Sequence, residues 1–319
     1  MYLMLDLKEE DFTEIEFTHA VLAAASDVFT AQEKKYLGQT RLMKLVAFTA
    51  DLLEFPLTRG WYRYGYFAPT SNQCISDFLN YYQTFERFPD LQNTWRDDSM
   101  RNVFRDAVKS LKQYFILNNN DFDTWVHEEM APPLYKAYYR YETLFYNTLI
   151  HIRKAISSKQ PLELSDFNSV VTDFEHSLEY VEDPKALELL FDYVDFWELL
   201  VLRIQKRGVT SKMEPFVTSL IRIYHEFLRP ALSPYEKTLH GMNAEQEREA
   251  FKRKMKADLR QFEDEMKFLE DMARSSSLLA TPDEIREELG QRTADWGENK
   301  RKNFRKILTE YMGGSSWQT

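Results

Sequence analysis

The sequence predicts a mainly α-helical protein: an N-terminal winged-helix-like module with a short β-hairpin, followed by a large helical bundle domain. Three observations carry this. Glycine is scarce, 9 in 319 residues, in a chain rich in Leu, Glu, Lys and Phe, a balance that favours long helices over tight turns. Apolar residues recur at helical spacing through most of the chain, interrupted at short polar or Pro-containing clusters. The exception is "TRGWYRYGYFAP", residues 58–69, where Trp61, Tyr62, Tyr64, Tyr66 and Phe67 fall within seven positions. β-preferring residues on both sides of Gly65 predict a hairpin there rather than helix.

In order along the chain, residues 12–31 predict a first helix. "GQTRLMKLVAFTADLLEF" predicts a second, with Thr40 as N-cap and Leu42, Leu45, Val46, Thr49, Leu52 and Leu53 as its buried stripe; Pro56 marks its end. After the hairpin, "TSNQCISDFLNYYQTF" starts a helix capped by Thr70 or Ser71, and residues 88–99 read as a connector. Helices are then expected at 100–117, 122–128, 133–157, 164–181, 184–207, 211–229 and 243–273, with breaks such as "LNNND", "APP", "EDP" and "KRG". Residues 184–204 are apolar on most faces, with Glu188, Asp192, Asp195 and Glu198 on one stripe, and read as the central helix of the larger domain. From 243 the chain is rich in acid–base pairs at helical spacing. "RSSSLLATPDE" reads as a flexible joint, followed by a short helix, a break at "DWG", a basic helix and a frayed tail. The expected domains are 1–95, winged-helix-like; 96–240, helical bundle; and 241–319, a charged helical arm. No fixed-period repeat is found.

Composition narrows the function by exclusion. A formal net charge of −10 argues against coating nucleic acid non-specifically, although a local basic patch is compatible with it. The lone Cys74 rules out an internal disulfide and a cysteine-rich zinc site, and reads as a buried, inert thiol. The N-terminus turns acidic within six residues and no stretch reaches 18 apolar residues, so neither a signal peptide nor a membrane span is expected and a cytoplasmic protein is the simplest reading. The six histidines are scattered. Glu16-x-x-His19 and a distant Asp173-x-x-His176 are the nearest approach to a di-iron bundle, which needs the motif twice and two further glutamates. Solvent-facing polar residues are the commoner meaning. There is no G-x-S-x-G elbow, no P-loop and no G-x-G-x-x-G, so no catalytic, metal or cofactor-binding residue is assigned.

Binding has more support. Trp61, Tyr62, Arg63, Tyr64 and Tyr66 form a candidate partner-binding surface, because rigid rings beside arginine suit protein interfaces. Packing of half or more of these rings under the helices is the first expectation, protein contact the second and nucleic acid the third. Residues 1–100 hold 9 Lys+Arg against 15 Asp+Glu, which makes a nucleic-acid-reading wing harder to support. Candidate contacts to nucleic acid or an acidic partner are Arg59 and the C-terminal patch of Lys300, Arg301, Lys302, Arg305 and Lys306. Tyr135, Tyr138, Tyr139, Tyr141, Phe145 and Tyr146 crowd another helix, expected to be interior.

Residues 36–82 carry Arg41, Leu42, Lys44 and Leu45, then Tyr64, Gly65, Phe67 and Pro69. This pattern resembles the small modules of the SocA-type antitoxin (Panacea) group and related archaeal winged-helix-like proteins. The resemblance implies a protein-binding role, neutralising or delivering another protein, in toxin–antitoxin or defence settings. The expectation is therefore a non-catalytic partner or adaptor subunit bound to another protein in a hetero-oligomer. The alternative is a nucleic-acid-binding regulator using the wing and the basic C-terminal helix.

Overall fold

The structure, a computed structural model, describes residues 12–82, 98–158, 167–210 and 212–291. Most of the connector read at 88–99, the "DWG" break, the basic helix with its Lys300–Lys306 patch and the tail lie outside them. The described chain is mainly helical with one two-stranded antiparallel hairpin. The first elements are α1 Glu14–Val28, α2 Ala31–Lys34, α3 Gln39–Leu52, β1 Gly60–Tyr62, β2 Gly65–Phe67 and α4 Pro69–Tyr82. Then come α5 Asp98–Phe115, α6 Asn119–Thr124, a π-helical segment Trp125–Met130, α7 Pro133–Ser158, α8 Phe167–His176 and α9 Pro184–Arg207. The rest are α10 Met213–Ile223, a second π-helical segment Tyr224–Leu228, α11 Arg229–Ala231, α12 Tyr235–Thr238, α13 Ala244–Ser275 and α14 Pro282–Gln291.

The helix expected over 12–31 ends at Val28, because capping boxes at Thr13 and Thr30 start two separate helices. Thr13 accepts the Glu16 N–H at 3.2 Å while the Glu16 carboxylate accepts the Thr13 N–H at 2.8 Å, and Thr30 with Glu33 repeats the arrangement. Phe29 between them is extended. α1 buries Ala20, Ala23, Ala24 and Ala25 beside Phe17, Val21 and Leu22. Small side chains on most faces let α3, α4 and α5 all pack on it.

α3 starts behind Gly38, which brings no capping side chain, so Thr40 lies inside the helix instead of capping it. Every residue from Arg41 to Ala50 is buried, a wider face than the expected stripe. Leu42, Leu45, Val46 and Thr49 belong to it, but Leu52 is 50% exposed and Leu53 half-buried. The helix ends at Leu52 and Glu54 turns left-handed at φ 53°, which carries the chain away before those two leucines reach the core. α4 begins at Pro69, where a missing N–H costs nothing. Thr70 and Ser71 therefore sit within its first turn, and the buried Ser71 hydroxyl lies 2.8 Å from that of Thr18 on α1. The plain helices expected over 122–128 and 211–229 each contain a π-helical segment, and α8 is shorter than its expected span.

The chain forms two compact units, Met1–Arg140 with Ser233–Lys254, and Tyr141–Leu232 with Met255–Thr319. The divisions fall inside α7, between α11 and α12, and inside α13. The return of 233–254 to the first unit is made by backbone pairing. Arg59 and His240 exchange N–H···O=C bonds of 2.9 and 3.0 Å, and the Met242 N–H donates to the Pro56 carbonyl at 2.8 Å.

In the second unit α9 carries a broad buried face, with Tyr193, Trp197 and Leu200 fully enclosed. Glu188 and Asp192 of its acidic stripe are exposed and Asp195 and Glu198 half-buried. Glu142 and Arg229 form a buried ion pair at 2.5 Å, joined by the Tyr224 hydroxyl at 3.1 Å. The stretch read as a flexible joint is packed: Leu278, Leu279 and Ala280 are buried, and the Ala280 N–H donates to the Leu199 carbonyl at 3.2 Å. Glu284 caps α14 through Thr281 and receives Arg203 and Arg207 of α9. Burial raises its carboxyl, but the Thr281 N–H and Arg207 outweigh that and hold it below the usual glutamate value.

Gly241 carries φ +115°, and a Cβ there would lie 2.3 Å from the Leu57 carbonyl oxygen and 2.6 Å from the Thr58 Cα. Gly208 is also left-handed, at φ +76°, but its Cβ would meet nothing within 4 Å. Gly241→Ala is therefore expected to lower the unfolding free energy by at least about 3 kcal/mol and Gly208→Ala by about 1 kcal/mol, read from urea midpoints.

Candidate functional site

The hairpin pairs Gly60 with Phe67, Trp61 with Tyr66 and Tyr62 with Gly65, leaving Arg63 and Tyr64 as its turn. Gly65, at φ +92°, supplies the left-handed residue after the turn, and a Cβ on it would stand 2.8 Å from the Val126 Cγ1. Cross-strand pairing puts Trp61 and Tyr66 on one face, stacked at 5.0 Å between ring centroids and buried against Phe48 of α3. The half-buried Tyr62 points the other way, against Phe67, Tyr235 and Phe251. Its carbonyl accepts the Tyr139 hydroxyl at 2.7 Å. Tyr64 is the exposed ring, at 41%, with the Arg63 guanidinium 4.9 Å from its centroid and 5.5 Å from that of Tyr62.

Arg59 stands under this hairpin, not on its surface. Its Nε donates to Asp51 Oδ1 and to the Tyr66 hydroxyl, both at 2.8 Å, and its Nη2 to Asp51 Oδ1 at 2.6 Å. Its Nη1 donates to the carbonyls of Phe55 at 3.1 Å and Leu57 at 2.6 Å. The guanidinium expected to reach nucleic acid or an acidic partner is thus spent inside the protein. Burial, then the Asp51 charge, pushes the Tyr66 hydroxyl well above the usual phenol value, so it stays protonated and donates to Asp51 Oδ1 at 2.9 Å. His240 Nε2 lies 3.5 Å from that hydroxyl, while Nδ1 is 2.9 Å from the Thr238 carbonyl, an acceptor that places a proton on Nδ1.

A second cation lies under the tip. Lys44 of α3 is 1% exposed, and its Nζ donates to the Tyr64 carbonyl at 2.5 Å. Burial pulls its pKa down to about 8 against the opposing pull of Asp123. One turn earlier, Arg41 donates to the carbonyls of Phe115 (2.7 Å) and Leu117 (2.8 Å) and to Asn119 Oδ1 (3.0 Å). Lys44, Tyr64 and Gly65, three positions of the motif that carries the family resemblance, meet beneath the tip.

Elsewhere the chemistry is muted. The Glu16 carboxylate is engaged in its capping box, and Cys74 Sγ lies 3.3 Å from His19 Nε2. Burial raises the thiol, with Asp77 adding to it, and lowers the imidazole against Glu16, so both shifts favour the neutral pair over thiolate and imidazolium. Among the described residues no group of three His, Cys, Asp or Glu is placed to hold a metal ion, and no helix is long and apolar enough to cross a membrane. In α7, Tyr135, Tyr138, Tyr139 and Phe145 are buried and Tyr141 and Tyr146 half-buried, as an interior helix requires.

Sequence reasoning missed Asp51 and His240, and it placed Lys44 and Tyr139 only within a motif and an aromatic helix. A lysine within ten consecutive buried positions of α3 gives no periodic signal, and the other three reach the hairpin through tertiary contacts. The chain matches no family model, no curated protein and no solved structure.

Three outcomes follow from this geometry. Arg59→Met is expected to cost about 3 kcal/mol by leaving the carbonyls of Phe55 and Leu57 without this donor and Asp51 with only the Tyr66 hydroxyl, and Tyr66→Phe about 1–2 kcal/mol, both from denaturant unfolding. For Lys44 the folded chain releases its proton at about 8 and the unfolded chain at the ordinary 10.5. Between those values the unfolded state binds more protons, so stability rises with pH, by on the order of 2–3 kcal/mol. Lys44→Met should remove that rise when both proteins are unfolded in urea from pH 7 to pH 10.5.

Proposed function

We propose that this chain is a non-catalytic protein-binding subunit, antitoxin-like in action, whose winged-helix-like N-terminal part holds a partner through the hairpin tip. The single observation behind the reading is the tip itself. Its base is anchored by the buried Trp61, Tyr66 and Arg59, and its exposed end offers Tyr64 with Arg63 stacked on it. A rigid tyrosine beside arginine, set on a fixed base, loses little entropy on binding, and such anchors dominate interface energetics. Gly65 packs on Val126 and His127, and further along the chain Met130 and Leu134 are exposed at 40% and 68%, which offers additional apolar surface. Of the five residues first considered for partner contact, Tyr64 and Arg63 keep that role, Tyr62 borders it, and Trp61 and Tyr66 serve as its support. The nucleic-acid reading loses Arg59, and no basic residue of the C-terminal patch lies among the described residues.

Affinity purification of the native chain tests this. One protein is expected to co-purify in a complex that survives 0.5 M salt. Tyr64→Ala combined with Leu134→Ser should weaken the complex at least about tenfold, or 1.4 kcal/mol, while Tyr36→Ala, another exposed ring, should not. Retention of nucleic acid with steep salt dependence, and indifference to the Tyr64 change, would overturn the proposal.

A further inference from the structure

The tip is held from below by a cation that is poorly provided for. The Lys44 ammonium has three donors, and among the described residues its one hydrogen-bond acceptor is the Tyr64 carbonyl at 2.5 Å. No carboxylate of the described residues stands within ion-pair distance of it. Ammonium groups in such surroundings gain strongly from hydration. Beneath Lys44 is the core of α3, whereas above it is the turn carrying the exposed Tyr64. Its acceptor carbonyl belongs to that turn.

We infer that Lys44 makes the hairpin tip a proton-linked latch: the charged ammonium favours a locally opened tip that admits water to Nζ, and loss of the proton favours the closed tip. It rests on the reading of the tip as the partner-binding face for its consequence, that this face is looser at neutral than at alkaline pH. The groups around the amine set the balance. From α6, Asp123 favours the charged form. On α3 itself, Arg41 is turned to the carbonyls at 115 and 117. From the first π-helical segment, His127 borders Gly65, and on the hairpin Arg63 lies over the Tyr62 and Tyr64 rings. The other helices packed on α3, namely α1, α4 and α5, bring no described charge that acts on it.

Linkage fixes the sign and the size. The closed tip holds the amine at about 8 and an open, hydrated tip returns it to 10.5. Opening is then expected to fall about tenfold between pH 7 and pH 9, and by no more than about 300-fold over the whole range. The measurement is amide hydrogen exchange of residues 62–66 in the intact chain, corrected for the intrinsic pH dependence of exchange. Wild type should gain about tenfold in protection from pH 7 to pH 9. Lys44→Met, which keeps the bulk and removes the charge, should be well protected at both and show no such gain. A flat wild-type profile, or the same gain in Lys44→Met, overturns the latch. If Lys44→Met does not fold, the wild-type profile alone decides. No partner is needed, so a Tyr64→Ala variant that fails to release a partner would remove the functional reading while leaving this profile as it stands.

Discussion

The buried guanidinium of Arg59 joins three pieces of chain, and its backbone a fourth, that local forces would leave apart. It gathers Asp51 from the end of α3, the carbonyls of Phe55 and Leu57 from the following loop, and the Tyr66 hydroxyl from β2. Its own backbone pairs with His240, far later in the chain. A two-stranded hairpin is marginal by itself. Here it is fixed because a planar, permanently charged fork has all of its partners within reach and leaves none of its charge unmet.

Lys44 offers the contrast. It occupies the same layer beneath the same hairpin, but as a point charge with one carbonyl acceptor. Arginine suits the buried anchor because its fork meets several acceptors at once. Lysine suits a position whose charge responds to its surroundings, because its pKa moves readily on burial. The hairpin is consequently held at its base by several acceptors, where Trp61 and Tyr66 stack, and at its tip by a single carbonyl, where Tyr64 faces solvent.

The backbone around this arrangement is equally constrained. Gly241 admits the returning strand only because no Cβ stands against the Leu57 carbonyl, and Gly65 admits the turn against Val126 for the same reason. Tyr235 packs its ring 3.0 Å from the position a Gly60 Cβ would take. Close backbone approach and the pairing of Arg59 with His240 together decide where the segment 233–254 can lie.

The sequence by itself determined what is local. It placed the hairpin at Gly65, the long helices at 133–157 and 184–207, and their breaks at proline and glycine, because helical periodicity and φ restrictions act within a few residues. It misplaced Thr40, Thr70 and Ser71 as caps, since Gly38 and Pro69 start their helices without them. It read 274–284 as loose because serine, threonine and proline say nothing of a distant α9 that takes up Leu278 and Glu284. The tertiary structure alone decided which rings of "WYRYGYF" face outward, that Arg59 is an anchor, that Lys44 is buried, and that residues 233–254 complete the first unit. Burial and ion pairing depend on groups far apart in the chain, and no local pattern encodes the partner that a charged side chain will meet.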